Sequence, residues 1–127
     1  MILDEDNSSS ASAFPSLESL KLQDCPELIY SPISLPSLQE LHVENCSEAG
    51  LRSMVDLKSL KTLRISRISK LIWFPNSFVE SLIALEDMKI TSCDELRMFP
   101  RGKLLTTLKI LEIRECEKLE SLPEGIL

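Results

Sequence analysis

The chain has 127 residues, of which 43% are hydrophobic and 27% are charged, as expected of one globular domain. Its net charge of −6 argues against a dedicated nucleic-acid-binding protein. No apolar run is long enough for a membrane helix, and the start lacks the basic and apolar stretches of a secretory signal, so we predict a cytoplasmic protein that does not bind membranes.

Residues 1–13 differ in composition from the rest of the chain. They contain the acidic run 4–6, followed by a stretch of small polar residues. Such a segment has too little apolar surface to form a core. We therefore predict a disordered acidic and serine-rich leader over 1–13 and a folded domain over 14–127.

One pattern, Leu-x-x-Leu-x-Leu-x-x-Cys, recurs along the predicted domain at steps of 21, 22, 25 and 23 residues. Its five matches run over 17–25, 38–46, 60–68, 85–93 and 108–116, with repeats starting near 14, 35, 57, 82 and 105. Self-similarity with this period and this internal spacing indicates a leucine-rich repeat solenoid.

Each match contains two apolar residues separated by one polar position, which is typical of a short strand with one buried face. The pairs are Leu20 and Leu22, Leu41 and Val43, Leu63 and Ile65, Met88 and Ile90, and Leu111 and Ile113. Strands that run in the same direction need a crossover between them. The pattern predicts an α/β horseshoe arc with a parallel β-sheet on its concave face and mostly irregular or short helical crossovers on its convex side.

Four crossovers carry an apolar motif that ends in proline. It reads Leu-x-x-Φ-Pro or close to it over 28–32, 71–75, 96–100 and 119–123, whereas the second repeat lacks the proline. Proline fixes φ and has no N–H donor, so we expect extended or turn backbone there. Trp73 and Phe74 are either core residues or exposed anchors on the convex side, and we favour the core because the motif directs at least Phe74 inward. The capping-box spacing of Ser77 and Glu80 predicts one helical turn.

A single repeat cannot bury its apolar face alone, because the core forms between stacked neighbours. Neither end of the array carries an obvious polar cap in the sequence. We expect a segment of a longer solenoid, and a complete small protein with atypical end repeats is the alternative.

Four cysteines, Cys25, Cys46, Cys93 and Cys116, close repeat matches, and the third match has Ile68 in their place. Their separations of 21, 47 and 23 residues include no Cys-x-x-Cys pair and argue against a metal site. We predict reduced core thiols in a reducing compartment. Stacking of neighbouring repeats would bring the Cα atoms of Cys25 and Cys46, and those of Cys93 and Cys116, within disulfide range. Their side chains would point in the same direction, however, which is unfavourable for forming that bond.

The sequence contains no catalytic motif that we can identify. Three glycines, Gly50, Gly102 and Gly125, are too few and too scattered for a nucleotide-binding loop. The one histidine, His42, lies mid-strand on the outward side, with no positioned partner for acid–base catalysis. We therefore predict a non-enzymatic protein with no cofactor, no metal and no small-molecule substrate.

The outward strand positions form the candidate protein-binding concave face. Its residues are Lys21, Gln23, His42, Glu44, Arg64, Ser66, Arg67, Lys89, Thr91, Glu112 and Arg114. The middle outward positions of the first four strands are mostly basic, and Lys61 and Arg67 extend this charge. One hypothesis is a positive stripe that meets an acidic protein patch, and the alternative is a solvated face of mixed charge.

The predicted face is small. Five strands give a sheet roughly 19 Å wide and roughly 23 Å long. Its area of about 440 Å² is below the roughly 800 Å² per partner of a standard interface. We expect this chain alone to bind weakly.

Three stretches of the sequence carry a family resemblance: FPSLESLKLQDCPEL, LPSLQELHVENC and LKILEIRECEKLESLPEGI. Together with the irregular period, they resemble the C-terminal repeats of plant intracellular nucleotide-binding leucine-rich-repeat disease-resistance proteins, over 14–127. The resemblance implies a recognition module that senses a pathogen effector or a guarded host protein, or restrains the nucleotide-binding module of the parent receptor. It implies no nucleotide switching within this chain.

Two other roles are compatible with leucine-rich repeats. One is an adaptor for protein–protein interaction, for example in substrate recognition by a ubiquitin ligase. The other is an extracellular receptor domain. It is disfavoured because the repeats of such plant receptors usually have a regular length and contain Leu-x-Gly-x-Ile-Pro, a motif that does not occur in this sequence.

Overall fold

A computed structural model describes residues 12–14, 16–25, 33–99 and 104–120 of the chain. Its elements, in chain order, are β1 (Ser12–Ala13), β2 (Ser19–Gln23), β3 (Ile33–Ser34), β4 (Glu40–Glu44), α1 (Glu48–Arg52), β5 (Met54–Val55), β6 (Thr62–Ser66), α2 (Asn76–Ser81), β7 (Asp87–Thr91), α3 (Leu104–Thr107) and β8 (Ile110–Arg114). None of the helices described is both long and apolar enough to cross a membrane.

The five longer strands form one parallel sheet in the order β2-β4-β6-β7-β8. Their register is continuous, because the first inward residue of each strand lies opposite that of the next. These partners are Leu20, Leu41, Leu63, Met88 and Leu111. The predicted parallel sheet and the alignment of its apolar residues are therefore confirmed.

The core lies between this sheet and the crossovers. The inward residues of the three central strands are buried, and leucines that open and close the crossovers join the same cluster. In β8, at one side of the sheet, Leu111 and Ile113 are only partly buried, since a neighbouring strand lies on one side alone. Burial is thus shared between repeats, as expected for stacked units.

A second parallel sheet was not predicted from the sequence. It consists of β1, β3 and β5, with two residues in each strand, in that order. A two-residue strand is too short to produce a recognisable apolar alternation. β1 lies in the last two residues of the predicted leader, and the rest of that segment is outside the described residues.

The second crossover contains a helix and lacks the proline of the other motifs. Residues 48–52 form α1, with Gly50 and Leu51 buried, and β5 follows directly. The motif position that proline occupies in the other repeats is Val55 here, which lies in β5 after the helix has ended, so the missing proline does not account for α1. The prolines at 32, 100 and 123 in the other motifs lie outside the described residues.

The third crossover partly corrects the sequence prediction. α2 includes the expected helical turn but begins at Asn76 after Pro75, and no side chain caps it. Phe74 is buried and stacks on Phe78 with ring centroids 6.3 Å apart. Trp73, which we expected in the core, is 61% exposed. Phe74 occupies the space toward the core at this point, so the adjacent Trp73 faces solvent.

Every long strand is followed directly by a residue with left-handed backbone, another feature that we did not predict. The φ angles of Asp24, Asn45, Arg67, Ser92 and Glu115 lie between 52° and 59°. In the first four of these residues the N–H donates to a carbonyl of the next strand at 2.9–3.1 Å. The turn therefore keeps the ladder bonded while the chain leaves the sheet.

Arg67→Asn should raise the free energy of unfolding by about 1 kcal/mol, because asparagine tolerates the left-handed region better than arginine. The contact that the substitution removes, between the Arg67 guanidinium and Glu44 at 3.9 Å, is exposed and contributes little. Urea unfolding measures the change. Arg64→Asn, within β6, is the matched control and should not stabilise the protein. An equal gain from both substitutions would contradict the backbone explanation.

Candidate functional site

The outward residues of the five long strands form one surface, which we call the exposed sheet face. The strand register places ten of the eleven predicted site residues in two columns. The central column is Lys21, His42, Arg64, Lys89 and Glu112. The second column is Gln23, Glu44, Ser66, Thr91 and Arg114. The eleventh residue, Arg67, is exposed in the left-handed turn after β6.

Three bases of the central column are left without an internal partner. Lys21 and Arg64 are exposed and Lys89 is half-buried. Within the part of the chain that the structure describes, none of the three forms an ion pair with a carboxylate. Their charges are therefore available to a molecule that covers the sheet.

The other bases near this face lie close to carboxylates, which modifies part of the predicted stripe. Lys61 lies 3.6 Å from a carboxylate oxygen of Glu86, and Arg67 lies 3.9 Å from Glu44. Both acids come from neighbouring strands or their flanks, whereas the sequence prediction considered one strand at a time. Nε2 of His42 also lies 3.7 Å from Glu44. The unpaired positive charge is thus narrower than predicted and follows the central column.

The last strand ends this line of bases. Nε of Arg114 lies 2.8 Å from a carboxylate oxygen of Glu112 in β8, so these two charges compensate each other. Ile110, in the same strand, is 53% exposed. The β8 side of the face therefore offers apolar and neutralised surface instead of free positive charge.

A further column lies two residues before the central one and contains two acids. Its members are Ser19, Glu40, Thr62, Asp87 and Ile110. Oδ1 of Asp87 is buried and has no hydrogen-bond partner among the described residues.

The face contains a shallow depression over β2, β4 and β6, with a volume of about 370 Å³. Its lining comprises Ser19, Leu20, Lys21, Glu40, Leu41, His42, Thr62 and Arg64. His42 lies between two longer bases of the central column, and the surface dips there. The depression is polar and open, and it suits a peptide side chain better than an enclosed small molecule.

The cysteines lie behind the face and contribute to the core. All four are free, with Cys46 and Cys93 buried and Cys25 and Cys116 half-buried. The thiols of Cys25, Cys46 and Cys116 donate to the carbonyl two residues earlier at 3.3–3.4 Å. Among the described residues no cluster of His, Cys, Asp or Glu could hold a metal ion.

Burial raises the pKa of the Cys93 thiol from 9.0 to about 11, although a hydrogen bond from the Ile68 backbone opposes the shift. The pKa values of Cys46 and Cys116 are also raised, again chiefly by burial. Protonated thiols are weak nucleophiles, so these three side chains are suited to packing and not to reaction.

Comparison with known proteins finds similarity to disease-resistance proteins of Arabidopsis thaliana. Disease resistance protein RPP2A is 34% identical over 113 residues, covering 84% of this chain and 8% of that protein. Putative disease resistance RPP13-like protein 1 is 34% identical over 119 residues, covering 87% of this chain and 11% of that protein. Protein SUPPRESSOR OF npr1-1, CONSTITUTIVE 1 is 27% identical over 108 residues, covering 85% of this chain and 7% of that protein.

The chain spans between 6% and 11% of the length of the curated relatives that it matches. No family model and no solved structure matches it. The resemblance predicted from the repeat sequences is nevertheless confirmed by the named relatives.

Proposed function

Because the chain is similar to plant disease-resistance proteins, we propose that it is a protein-recognition module of an intracellular immune receptor. In this proposal the repeats form a leucine-rich solenoid whose concave side is the exposed sheet face. The face senses a pathogen effector or a guarded host protein, or it restrains the nucleotide-binding module of the receptor. The module works by binding alone and carries out no reaction.

The observation that carries the proposal is the continuous register of the five strands. It places outward side chains from five separate repeats on one surface. Three bases of its central column have no ion-pair partner in the described part of the chain. The sheet fixes the positions of these side chains, and their positive charges have no internal partner. Such a surface is suited to binding a protein with complementary charge.

The size of the face limits how strongly this chain binds by itself. Five strands supply about 440 Å² of projected area, roughly half of one side of a standard interface. The matched relatives are much longer than this chain. We therefore propose that adjoining repeats of a receptor complete the interface.

The test is co-precipitation of the tagged chain from leaf tissue with two sets of proteins. One set is the nucleotide-binding module of a disease-resistance receptor, and the other is a panel of pathogen effectors and their host targets. Ser66→Trp, on the second column, should block the captured partner by steric overlap. Ser77→Trp, exposed on α2, is the matched control and should leave capture unchanged.

Three results would contradict the proposal. One is the absence of a partner from both sets, and another is equal loss of capture with both tryptophan variants. The third is selective retention of a ubiquitin-ligase scaffold protein, which would favour the adaptor role instead.

A further inference from the structure

We infer that the exposed sheet face binds a single line of carboxylates, carried at alternate positions of an extended acidic segment of the protein partner. The segment crosses the strands above the central column, with its outer carboxylates at Lys21 and Lys89 and its middle carboxylate between Lys21 and Arg64. This inference rests on the proposed function and adds the chemistry of the partner to it.

The first argument is the selective pairing of charges. Lys61, Arg67, Lys109 and Arg114 all lie within 4 Å of a glutamate oxygen. In the part of the chain that the structure describes, Lys21, Arg64 and Lys89 of the central column do not, although flexible lysine and arginine side chains could reach a nearby acid. Acids therefore lie beside the bases at the margins of the face, where Lys61 and Lys109 share Glu86, whereas Lys21, Arg64 and Lys89 remain unpaired along the central column.

The second argument is spacing. Lys21 and Lys89 are three strand intervals apart, because His42 and Arg64 occupy the strands between them. At about 4.8 Å per interval this distance is roughly 14 Å. In an extended segment the residues i, i+2 and i+4 share one side and span about 13 Å. Three carboxylates on one edge of such a segment therefore match the length of the basic line.

The third argument excludes a uniformly acidic partner surface. Glu40 and Asp87 lie in the column two residues before the central one, about 7 Å away along the strands. They would repel acids placed above them. The whole chain also has a net charge of −6, which disfavours a partner that is acidic over its whole surface. A partner with acids on one edge and neutral residues on the other fits both columns.

The depression supplies a place for one of these side chains. It lies above β4, between Lys21 and Arg64, and includes the His42 and Thr62 side chains in its lining. A carboxylate there could accept hydrogen bonds from the Thr62 hydroxyl while pairing with either base. The middle acid of the segment is the one that we assign to this position.

The experiment is an NMR titration of the full ¹⁵N-labelled chain with the heptapeptide Ser-Glu-Ser-Glu-Ser-Glu-Ser, carried to millimolar concentration at low salt. We expect saturable shifts of amide signals in β2, β4, β6 and β7, and loss of binding as salt is added. The peptide with glutamine in place of glutamate should not bind. Heptaglutamate should bind no more tightly than the alternating peptide.

Charge reversal tests the individual bases. Arg64→Glu and Lys89→Glu should each weaken binding of the alternating peptide about tenfold, because each replaces an attraction by a repulsion. Lys58→Glu is the matched control. It makes the same change of charge at an exposed turn residue before β6 and should leave the peptide affinity within about twofold. Unchanged amide spectra away from the substitution verify that the variants are folded.

Several outcomes would overturn the inference: no shifts with the alternating peptide, equal binding of the glutamine peptide, tighter binding of heptaglutamate, or equal weakening by Lys58→Glu. The proposed function fails separately. If Ser66→Trp abolishes partner capture while Arg64→Glu does not affect it, the recognition role stands and the acidic segment is wrong. If neither substitution affects capture, the face is not the recognition surface.

Discussion

Leu63→Ala should lower the free energy of unfolding by about 3 kcal/mol, the largest effect that we expect from one conservative substitution. Leu63 is fully buried in β6, the central strand, with Leu41 and Met88 as its register neighbours. Truncation removes apolar burial and leaves a cavity that strands bonded on both sides cannot easily close. Small domains are stable by only about 5–15 kcal/mol, so the variant should unfold at a much lower urea concentration.

Two substitutions distinguish this explanation from a general sensitivity of β6. Arg64→Ala changes the next residue of the same strand, which is exposed, and should shift the unfolding free energy by less than about 0.5 kcal/mol. Leu111→Ala affects the equivalent position in β8, where the leucine is only partly buried, and should cost less than Leu63→Ala. Equal losses of unfolding free energy at Leu63 and Leu111 would contradict the explanation that the loss depends on how deeply the leucine is buried.

Alkaline pH should destabilise the protein through Cys93 by about 2–3 kcal/mol in total. Burial keeps the pKa of this thiol at about 11 in the folded chain, compared with 9.0 for an unperturbed thiol. Between these values the unfolded chain releases the proton while the folded chain retains it. Stability from the neutral thiol is therefore fully present below pH 9 and is lost as the pH rises toward about 11.

Urea unfolding at intervals of pH measures this loss. Cys93→Ala should be moderately less stable at neutral pH, since it removes a buried side chain, but it should lose less stability between pH 9 and about 11 than the wild type. Cys25→Ala, at a half-buried position in the first repeat, is the control. The same pH dependence in the wild type and Cys93→Ala would refute the assignment to this thiol.

The sequence was most informative where a residue's position follows from periodicity. Alternation at Leu41 and Val43, or at Leu63 and Ile65, identifies the inward side of a strand, and a constant offset within each repeat brings equivalent residues into register. Hydrophobic burial determines this register, because a shift by one residue would turn every apolar side chain outward. For the same reason the two columns of the candidate site could be assigned before the structure was known.

Features that depend on contacts between repeats were less accessible. The pairing of Lys61 and Arg67 with glutamates of neighbouring strands depends on side-chain reach across the sheet, which a pattern within one repeat does not contain. The outward position of Trp73 follows from the space that Phe74 and Phe78 occupy. The left-handed turns were missed because only some of their residues, such as Asn45, belong to a type that favours that backbone.

The unequal crossovers have a consequence for how such a surface can diversify. The second crossover lacks the proline of the others, and the steps between repeats vary from 21 to 25 residues, yet the register of the long strands is unbroken. Insertions and deletions on the far side of the core therefore leave the geometry of the sheet intact. The outward residues can then change one at a time by mutation, so that new binding specificities arise while the fold is preserved.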